Sequence, residues 1–194
     1  MLTTSLNLLK KAGACRGRYR HLCEALGGLK AYGPTTPISI EQVLEHNGLD
    51  NALWALRAVP REQEAERDRK ARLLACKYAE HVQTIFEARF PNARLPRECI
   101  EVSRRYALGQ ATKEELRAAF SAAAVALDAA DAAFHAFLIA AFYAAAAAYA
   151  TADAAAVADA AAIAAAYARV IGSEAVERTW QEARLREMLQ GGDQ

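Results

Sequence analysis

An alanine-rich segment, residues 118–169, constrains the fold of this chain more than any other feature. Its 52 residues include 31 alanines, no glycine, no proline and no lysine, and its only arginine is the last residue. Alanine is the strongest helix former because it loses no side-chain entropy in a helix, so the whole segment is predicted to be helical. A single straight helix of this length would extend about 75–80 Å, roughly twice the width of a compact domain of this size. We therefore predict at least two helices that fold back on each other.

Helix start and stop signals outside this segment predict several more helices. Ser39 and Gln42 have the spacing of a capping box, as do Thr112 and Glu115, and Gly109 is placed to terminate a helix. No segment has a convincing β-strand pattern. These features predict an all-α fold, a single compact helical bundle or array of about seven to nine helices with an alanine-rich C-terminal half.

We expect the chain to have three parts. Residues 1–49 are predicted to form an N-terminal helical segment packed on the main domain, residues 50–190 the helical domain itself, and residues 191–194 a tail. Helical periodicity predicts that Leu74 and Tyr78 are buried within the main domain. The predicted buried face of the last helix consists of Val176, Trp180, Leu185 and Leu189.

The charge of the chain is unevenly distributed, although the net charge is only +1. Residues 1–117 carry 20 Lys or Arg against 14 Asp or Glu, whereas residues 118–168 carry four Asp and no base. Acids are interleaved with the bases of the first part, which disfavours direct nucleic-acid binding, since that needs a sustained basic surface. The acidic second part could bind a basic protein surface.

Features of the N-terminus and of the cysteines favour a cytoplasmic protein. Residues 1–9 lack the basic and apolar regions of a signal peptide. The run 132–150 consists largely of alanine, which is only weakly hydrophobic, so we predict no membrane span. Four cysteines without an export signal fit a reducing compartment, where all four are predicted to be buried free thiols.

Four aspartates and a histidine are the candidate functional residues of the alanine-rich segment. Asp128, Asp131 and His135 have the spacing i, i+3 and i+7, which places them on one helix face. This face could be a metal or catalytic cluster, or the solvated polar edge of an otherwise apolar helix. Asp153 and Asp159 extend it into an acidic, partner-binding face.

The second candidate region flanks a turn between two prolines, Pro91 and Pro96. Its bases are also predicted to bind a partner: Arg94, Arg97, Arg104 and Arg105. Spacing of i,i+4 from Glu101 to two of these arginines predicts a surface ion-pair ladder within one helix. Alternatively, an arginine here ties the turn to helix termini.

Known chemical motifs are absent from the sequence. It contains no CxxC pair, no HExxH, no glycine-rich phosphate loop and no GxSxG. We therefore predict no catalytic residue, no metal and no cofactor.

A set of short motifs between residues 72 and 116 resembles a known protein family. They are RLLACKYAE at 72–80, IFE at 85–87, Phe90-Pro91, Arg97-Glu98 and Gly109-x-x-Thr-x-x-Glu-Leu116. With the alanine-rich helix that follows, they resemble immunity proteins of toxin loci, in particular the immunity-protein-5-like class, whose look-alikes occur in phage and mobile elements. The resemblance covers about residues 50–150 and supplies no catalytic residue.

The resemblance implies a non-catalytic protein that inhibits a protein partner by binding it. That partner would be a toxin or, in a phage or mobile element, a host defence complex such as a CRISPR effector, which would make the protein an anti-CRISPR. Two alternatives remain open from the residues: a metal-dependent enzyme using Asp128, Asp131 and His135, and a self-assembling structural helical protein. Each of these three hypotheses is compatible with a chain that forms a homo-oligomer.

Overall fold

Helices make up nearly all of the regular structure of this chain. The computed structural model describes residues 1–89, 94–128 and 174–191. Within these ranges the helices are α1 Leu6–Lys11, α2 Arg16–Ala25, α3 Leu29–Tyr32, α4 Ile40–Asn47, α5 Leu49–Ala55, α6 Glu64–Arg89, α7 Leu95–Ala107, α8 Lys113–Asp128 and α9 Glu174–Leu189. Two short 3₁₀ turns, Leu56–Ala58 and Arg61–Gln63, precede α6. The predicted all-α fold class is confirmed.

A small antiparallel ribbon is the exception to the helical architecture. β1, Thr3–Thr4, pairs with β2, Ile38–Ser39, so that Thr3 lies opposite Ser39 and Thr4 opposite Ile38. The expectation of no β-strand was therefore wrong at this point. Two residues per strand are too few to show an alternating pattern, and contacts distant in sequence hold the ribbon. The Thr4 hydroxyl donates to the Ala58 carbonyl over 2.6 Å.

The chain divides into two compact units, of which the first comprises Met1–Arg67 and Arg186–Gln194. Its largest fully buried side chains are Leu2, Leu6, Leu22, Ile38, Ile40, Leu53 and Leu56. The predicted capping box at the start of α4 is confirmed, since Ser39 and Gln42 each accept a hydrogen bond from the other's backbone N–H. Near the C-terminus, Gln190 donates to Glu41 over 3.1 Å.

The second unit, Asp68–Leu185, contains most of α6 and α9 and all of α7 and α8. Its α6 and α7 pack through Cys76, Ala79 and Ile100, which are all buried. Leu74 and Tyr78 are buried, as predicted. α7 ends at Ala107, and Gly109, the residue after the C-cap Leu108, has a φ of 72°, the left-handed conformation expected of a terminating glycine. The Gln110 N–H donates to the Arg105 carbonyl over 2.7 Å.

Part of the alanine-rich segment is helical as predicted, because residues 118–128 lie within α8. The rest, from residue 129 to residue 169, lies outside the described residues, and so does the predicted folding back of this segment as at least two helices. The predicted division into residues 1–49, 50–190 and 191–194 stays a prediction.

Two predictions about individual side chains were wrong. Val176 is 70% exposed rather than buried, because Glu177 occupies the inward position beside it on α9. Leu185 and Leu189 are buried as predicted. Cys23, Cys76 and Cys99 are buried free thiols, but Cys15 is exposed, since it precedes the first residue of α2 and does not share the buried face of that helix.

Candidate functional site

The arginines of the predicted partner-binding region bind carboxylates on neighbouring helices. Arg97 on α7 holds Glu87 on α6 with two hydrogen bonds, 3.0 Å from Nε to Oε1 and 2.5 Å from Nη2 to Oε2. The Gln83 side chain donates to the same carboxylate. The hydrogen bond from Arg97, followed by that from Gln83, lowers the pKa of Glu87 below its ordinary value.

Two more arginines extend this arrangement along α7. Arg104 pairs with Glu80 on α6, and Arg105 pairs with Glu115 on α8 over 3.1 Å. Glu115 also accepts the backbone N–H of Thr112 over 2.7 Å, and its own N–H donates to the Thr112 hydroxyl over 3.1 Å, which confirms the second capping box. The pKa of Glu115 is lowered most by the hydrogen bond from the Thr112 backbone N–H, and the hydrogen bond from Arg105 lowers it further.

These contacts decide between the two sequence-based interpretations of the arginines. The ladder through Glu101 was wrong, because in the described part of the chain Arg97 and Arg105 pair with other helices and Glu101 is exposed. The arginines instead tie α7 to α6 and α8, at Glu87 and Glu115 next to the termini of those helices and at Glu80 within α6. A bidentate Arg–carboxylate pair suits this role because its two bonds fix direction as well as distance.

The remaining predicted partner-binding residues are not brought together by the described structure. Arg94 is exposed at the N-cap position of α7. Asp128 is the last residue of α8. The other members of the predicted acidic face lie outside the described residues: Asp131, His135, Asp153 and Asp159. The acidic face and the alternative metal cluster therefore stay predictions.

A buried polar network between α6 and α9 was missed by the sequence analysis. Its central carboxylate is Glu177, which is only 3% exposed. The His81 Nδ1 lies 2.6 Å from Glu177 Oε2, and the Gln181 side-chain amide donates to Glu177 Oε1 over 2.8 Å. The Tyr78 hydroxyl donates to the Gln181 backbone carbonyl over 3.0 Å. Each polar group therefore has a partner, as burial of a carboxylate requires.

Aromatic rings close this network on one side. His81 stacks on Trp180 with ring centroids 3.7 Å apart and planes 8° from parallel. The Tyr78 ring meets the Trp180 indole edge-on, with ring centroids 6.1 Å apart. The Arg184 guanidinium lies 5.6 Å from the centroid of the Trp180 ring. Burial raises the pKa of the Tyr78 phenol, which keeps the hydroxyl a hydrogen-bond donor. The network thus fixes the two helices by directional contacts in addition to apolar packing.

The sequence carried a weak signal for this network. Glu177, Gln181, Leu185 and Met188 recur at helical spacing and form the buried face of α9. The apolar pattern alone favoured Val176, because a carboxylate is rarely placed in a core. The Glu177 carboxylate is satisfied by Gln181 on the same helix and by His81 on α6, which lies 96 residues earlier in the chain.

Ser103, Cys76 and Cys99 are buried side chains of nucleophilic residue types in the second unit. The Ser103 hydroxyl donates to the Cys99 carbonyl over 2.8 Å. Burial raises the pKa of the Cys76 thiol to about 12 and that of Cys99 to about 11, so both are protonated at neutral pH. Across residues 1–89, 94–128 and 174–191, no three His, Cys, Asp or Glu side chains converge so as to hold a metal ion.

Comparison with known families identifies the part of the chain that contains these contacts. Residues 51–188 match the family described as Imm-5 like putative immunity protein. The chain belongs to this family. The match confirms the resemblance seen in the sequence, and it includes both the arginine pairs of α7 and the buried network of this family member. No curated protein and no solved structure matches the chain.

Among the helices within the described residues, none combines the length and the apolar character that a bilayer crossing requires. The run 132–150, which is predicted not to span a membrane, lies outside those residues.

Proposed function

We propose that this protein is a non-catalytic inhibitor that neutralises a toxin by binding it in the cytoplasm. The observation that carries the proposal is the family match over residues 51–188. An immunity protein acts by covering its target, so it needs a rigid surface rather than a reactive group. The bidentate pair on α7 and the buried network under α9 supply such rigidity in the family region.

Two surfaces are proposed for the contact with the toxin. One is the acidic face of the alanine-rich segment, with Asp128, Asp131, Asp153 and Asp159. The other is the exposed start of α7 at Arg94, together with the outward parts of Arg97, Arg104 and Arg105. A second form of the proposal replaces the toxin by a host defence complex, with the chain acting as a phage-borne or mobile-element inhibitor such as an anti-CRISPR.

Co-expression with the product of the adjacent gene tests the proposal. If that product is a toxin, we expect the parent chain to restore bacterial growth and to co-elute with the toxin in size-exclusion chromatography with light scattering. Failure of both growth rescue and co-elution, with the chain folded by circular dichroism, would overturn the proposal for that partner. Catalytic turnover of the toxin by a substoichiometric amount of the chain would overturn the non-catalytic mechanism.

Charge-reversal variants distinguish the two proposed surfaces. Asp153→Lys with Asp159→Lys tests the acidic face, and Glu62→Lys with Glu64→Lys is the matched control, since both control residues are exposed and the charge change is the same. Arg94→Glu tests the start of α7 without breaking an ion pair among the described residues. If a test variant no longer co-elutes with the toxin but the control variant does, the surface changed in that test variant is the contact surface. If both test variants bind as well as the control, neither proposed surface contacts the toxin.

Two measurements separate the proposal from the alternatives. A metal-dependent enzyme would bind a divalent ion in proportion to protein, and Asp128→Ala would abolish this binding. A self-assembling protein would show a mass several times that of the chain, independent of the toxin. We expect neither result for a binding inhibitor.

A further inference from the structure

The first 23 residues of the chain carry five bases and no acid. They fold into α1 and α2, on which all five bases are exposed. We call this set the basic N-terminal surface: Lys10, Lys11, Arg16, Arg18 and Arg20. It precedes the family match, which begins at residue 51.

An apolar groove opens beside these bases within the first unit. A cavity of about 260 Å³ is lined by residues of α1, α2, α4 and α5, with apolar walls from Leu9, Tyr19, Leu22, Val43 and Trp54. A second cavity, of about 470 Å³, shares Ala14 and Tyr19 with the first and is bordered by Lys10, Arg16 and Arg20. A cavity of this size accommodates one or two large apolar side chains.

The bases around the groove differ from the arginines of α7 in whether they pair with carboxylates. Lys10, Arg16 and Arg18 form no ion pair with the residues that the structure describes, and Arg20 is 4.0 Å from Glu24, at the limit of an ion pair between exposed groups. Asp50 is the one acid that lines the first cavity. Positive charge at this surface is therefore largely uncompensated locally, although the net charge of the chain is only +1.

We propose that the basic N-terminal surface docks an acidic segment of a protein partner, with an apolar side chain of that segment inserted in the groove. Charge complementarity selects the acidic segment and the Tyr19–Trp54 walls select the apolar side chain. A nucleic acid fits less well, because the cavity walls are largely apolar. The inference rests on the proposed function in assuming a protein partner, and it specifies the chemistry of that partner.

Fluorescence anisotropy of the full-length chain with labelled peptides tests the proposal. The probe is a peptide of about 12 residues composed of Glu and Asp around a central Leu and Trp, a length that can span both cavities. A peptide with Lys in place of each acid, and a single-stranded oligonucleotide of similar length, are the comparison ligands. We expect binding of the acidic peptide only, with affinity that falls as NaCl is raised.

Matched variants connect the binding to this surface. Arg16→Ala with Arg18→Ala should raise the Kd of the acidic peptide by about tenfold or more, as expected when two cations leave a charged contact. Lys30→Ala with Arg61→Ala removes the same charge from exposed positions outside the groove and should change the Kd less than about twofold. Equal losses in both variants would overturn the proposal, because they would show dependence on net charge alone.

The groove is tested from the peptide side, so that misfolding of the protein cannot interfere. Replacing the central Leu and Trp by Gly should weaken binding about tenfold, since the apolar contact is lost. No weakening, no binding of the acidic peptide, or tighter binding of the oligonucleotide would each overturn the proposal.

Failure of the docking surface can be distinguished from failure of the proposed inhibitor function. If the parent chain protects against the toxin and the Arg16/Arg18 variant protects equally, the docking surface is rejected and the inhibitor function stands. If the acidic peptide binds as expected but no toxin is neutralised, the docking surface stands and the inhibitor function is rejected.

Discussion

At the scale of single residues, charged side chains have two distinct uses in this protein. The arginines of α7 each hold a carboxylate on α6 or α8, whereas the bases of α1 and α2 are exposed around an apolar groove. Sequence patterns do not separate the two, because both sets are basic residues closely spaced on helices. The separation depends on which elements pack beside each helix.

The Glu87–Arg97 pair should make stability depend on pH in acid. Because pairing depresses the pKa of Glu87 in the folded state, its contribution is present above the ordinary glutamate pKa and is lost as the pH falls through the folded value. Glu87→Gln should therefore lower the urea midpoint at pH 7 and reduce its further fall below about pH 4.5. Glu101→Gln, at an exposed position of α7, is the control and should leave the profile unchanged.

Removing one hydroxyl from the buried network should lower stability measurably. Tyr78→Phe deletes the hydrogen bond to the Gln181 carbonyl without creating a large cavity, so we expect a loss of about 0.5–1.5 kcal/mol in the free energy of unfolding. Tyr32→Phe is the matched control, because its hydroxyl donates to the Pro37 carbonyl at an exposed site. Chemical denaturation checks both, and a control loss as large as that of Tyr78→Phe would contradict the assignment.

The four thiols should differ in reactivity. Cys15 is exposed, and backbone N–H groups of Arg18 and Gly17 lower its pKa, so more of it is thiolate at neutral pH. Cys76 and Cys99 are buried with raised pKa values. Titration of the native protein with a chromogenic disulfide should show one fast thiol, which Cys15→Ser abolishes. A fast phase that persists in this variant would contradict the burial of the others.

At the scale of elements, helix boundaries were the most predictable feature. Both capping boxes and the terminating Gly109 occur where the sequence placed them, since caps depend on residues three or four positions apart. The two-residue ribbon was not predictable, because it depends on pairing between residues 36 positions apart, such as Thr3 and Ser39.

Two glycine-to-alanine variants should have opposite effects on stability. Gly109 has a φ of 72° and a Cβ there would meet no atom within 4 Å, so Gly109→Ala should destabilise by about 1 kcal/mol through backbone strain alone. Gly17 lies within α2 and has equally open space, so Gly17→Ala should stabilise by about 0.4–1 kcal/mol. Thermal melts of the two variants measure these changes. Shifts of the melting temperature with the same sign would contradict the left-handed conformation assigned to Gly109 and the helical conformation assigned to Gly17.

At the scale of the whole molecule, family membership and charge distribution together define the proposed inhibitor. The family match covers residues 51–188, and the strongest local excess of positive charge precedes it, in residues 1–23. A binding protein with such concentrated charge should be steered toward its partner electrostatically.

Salt should therefore affect association more than dissociation of the inhibited complex. We expect the association rate with the neutralised toxin to fall by about tenfold or more between low and physiological ionic strength, while the dissociation rate changes much less. Stopped-flow or surface-based kinetics would measure both rates. An association rate independent of salt would contradict a steering role for the charged surfaces.

The sequence by itself determined the helical class, the family, the caps and part of the apolar core, including Leu74, Tyr78 and Leu185. These features depend on short-range periodicity and on local hydrogen bonds, which a linear pattern records. Tertiary structure alone decided that Glu177 is buried while Val176 is exposed, and that the α7 arginines pair with other helices rather than with Glu101. A buried carboxylate is stable only when distant groups such as His81 satisfy it, and the three-dimensional fold alone brings those groups within hydrogen-bond distance.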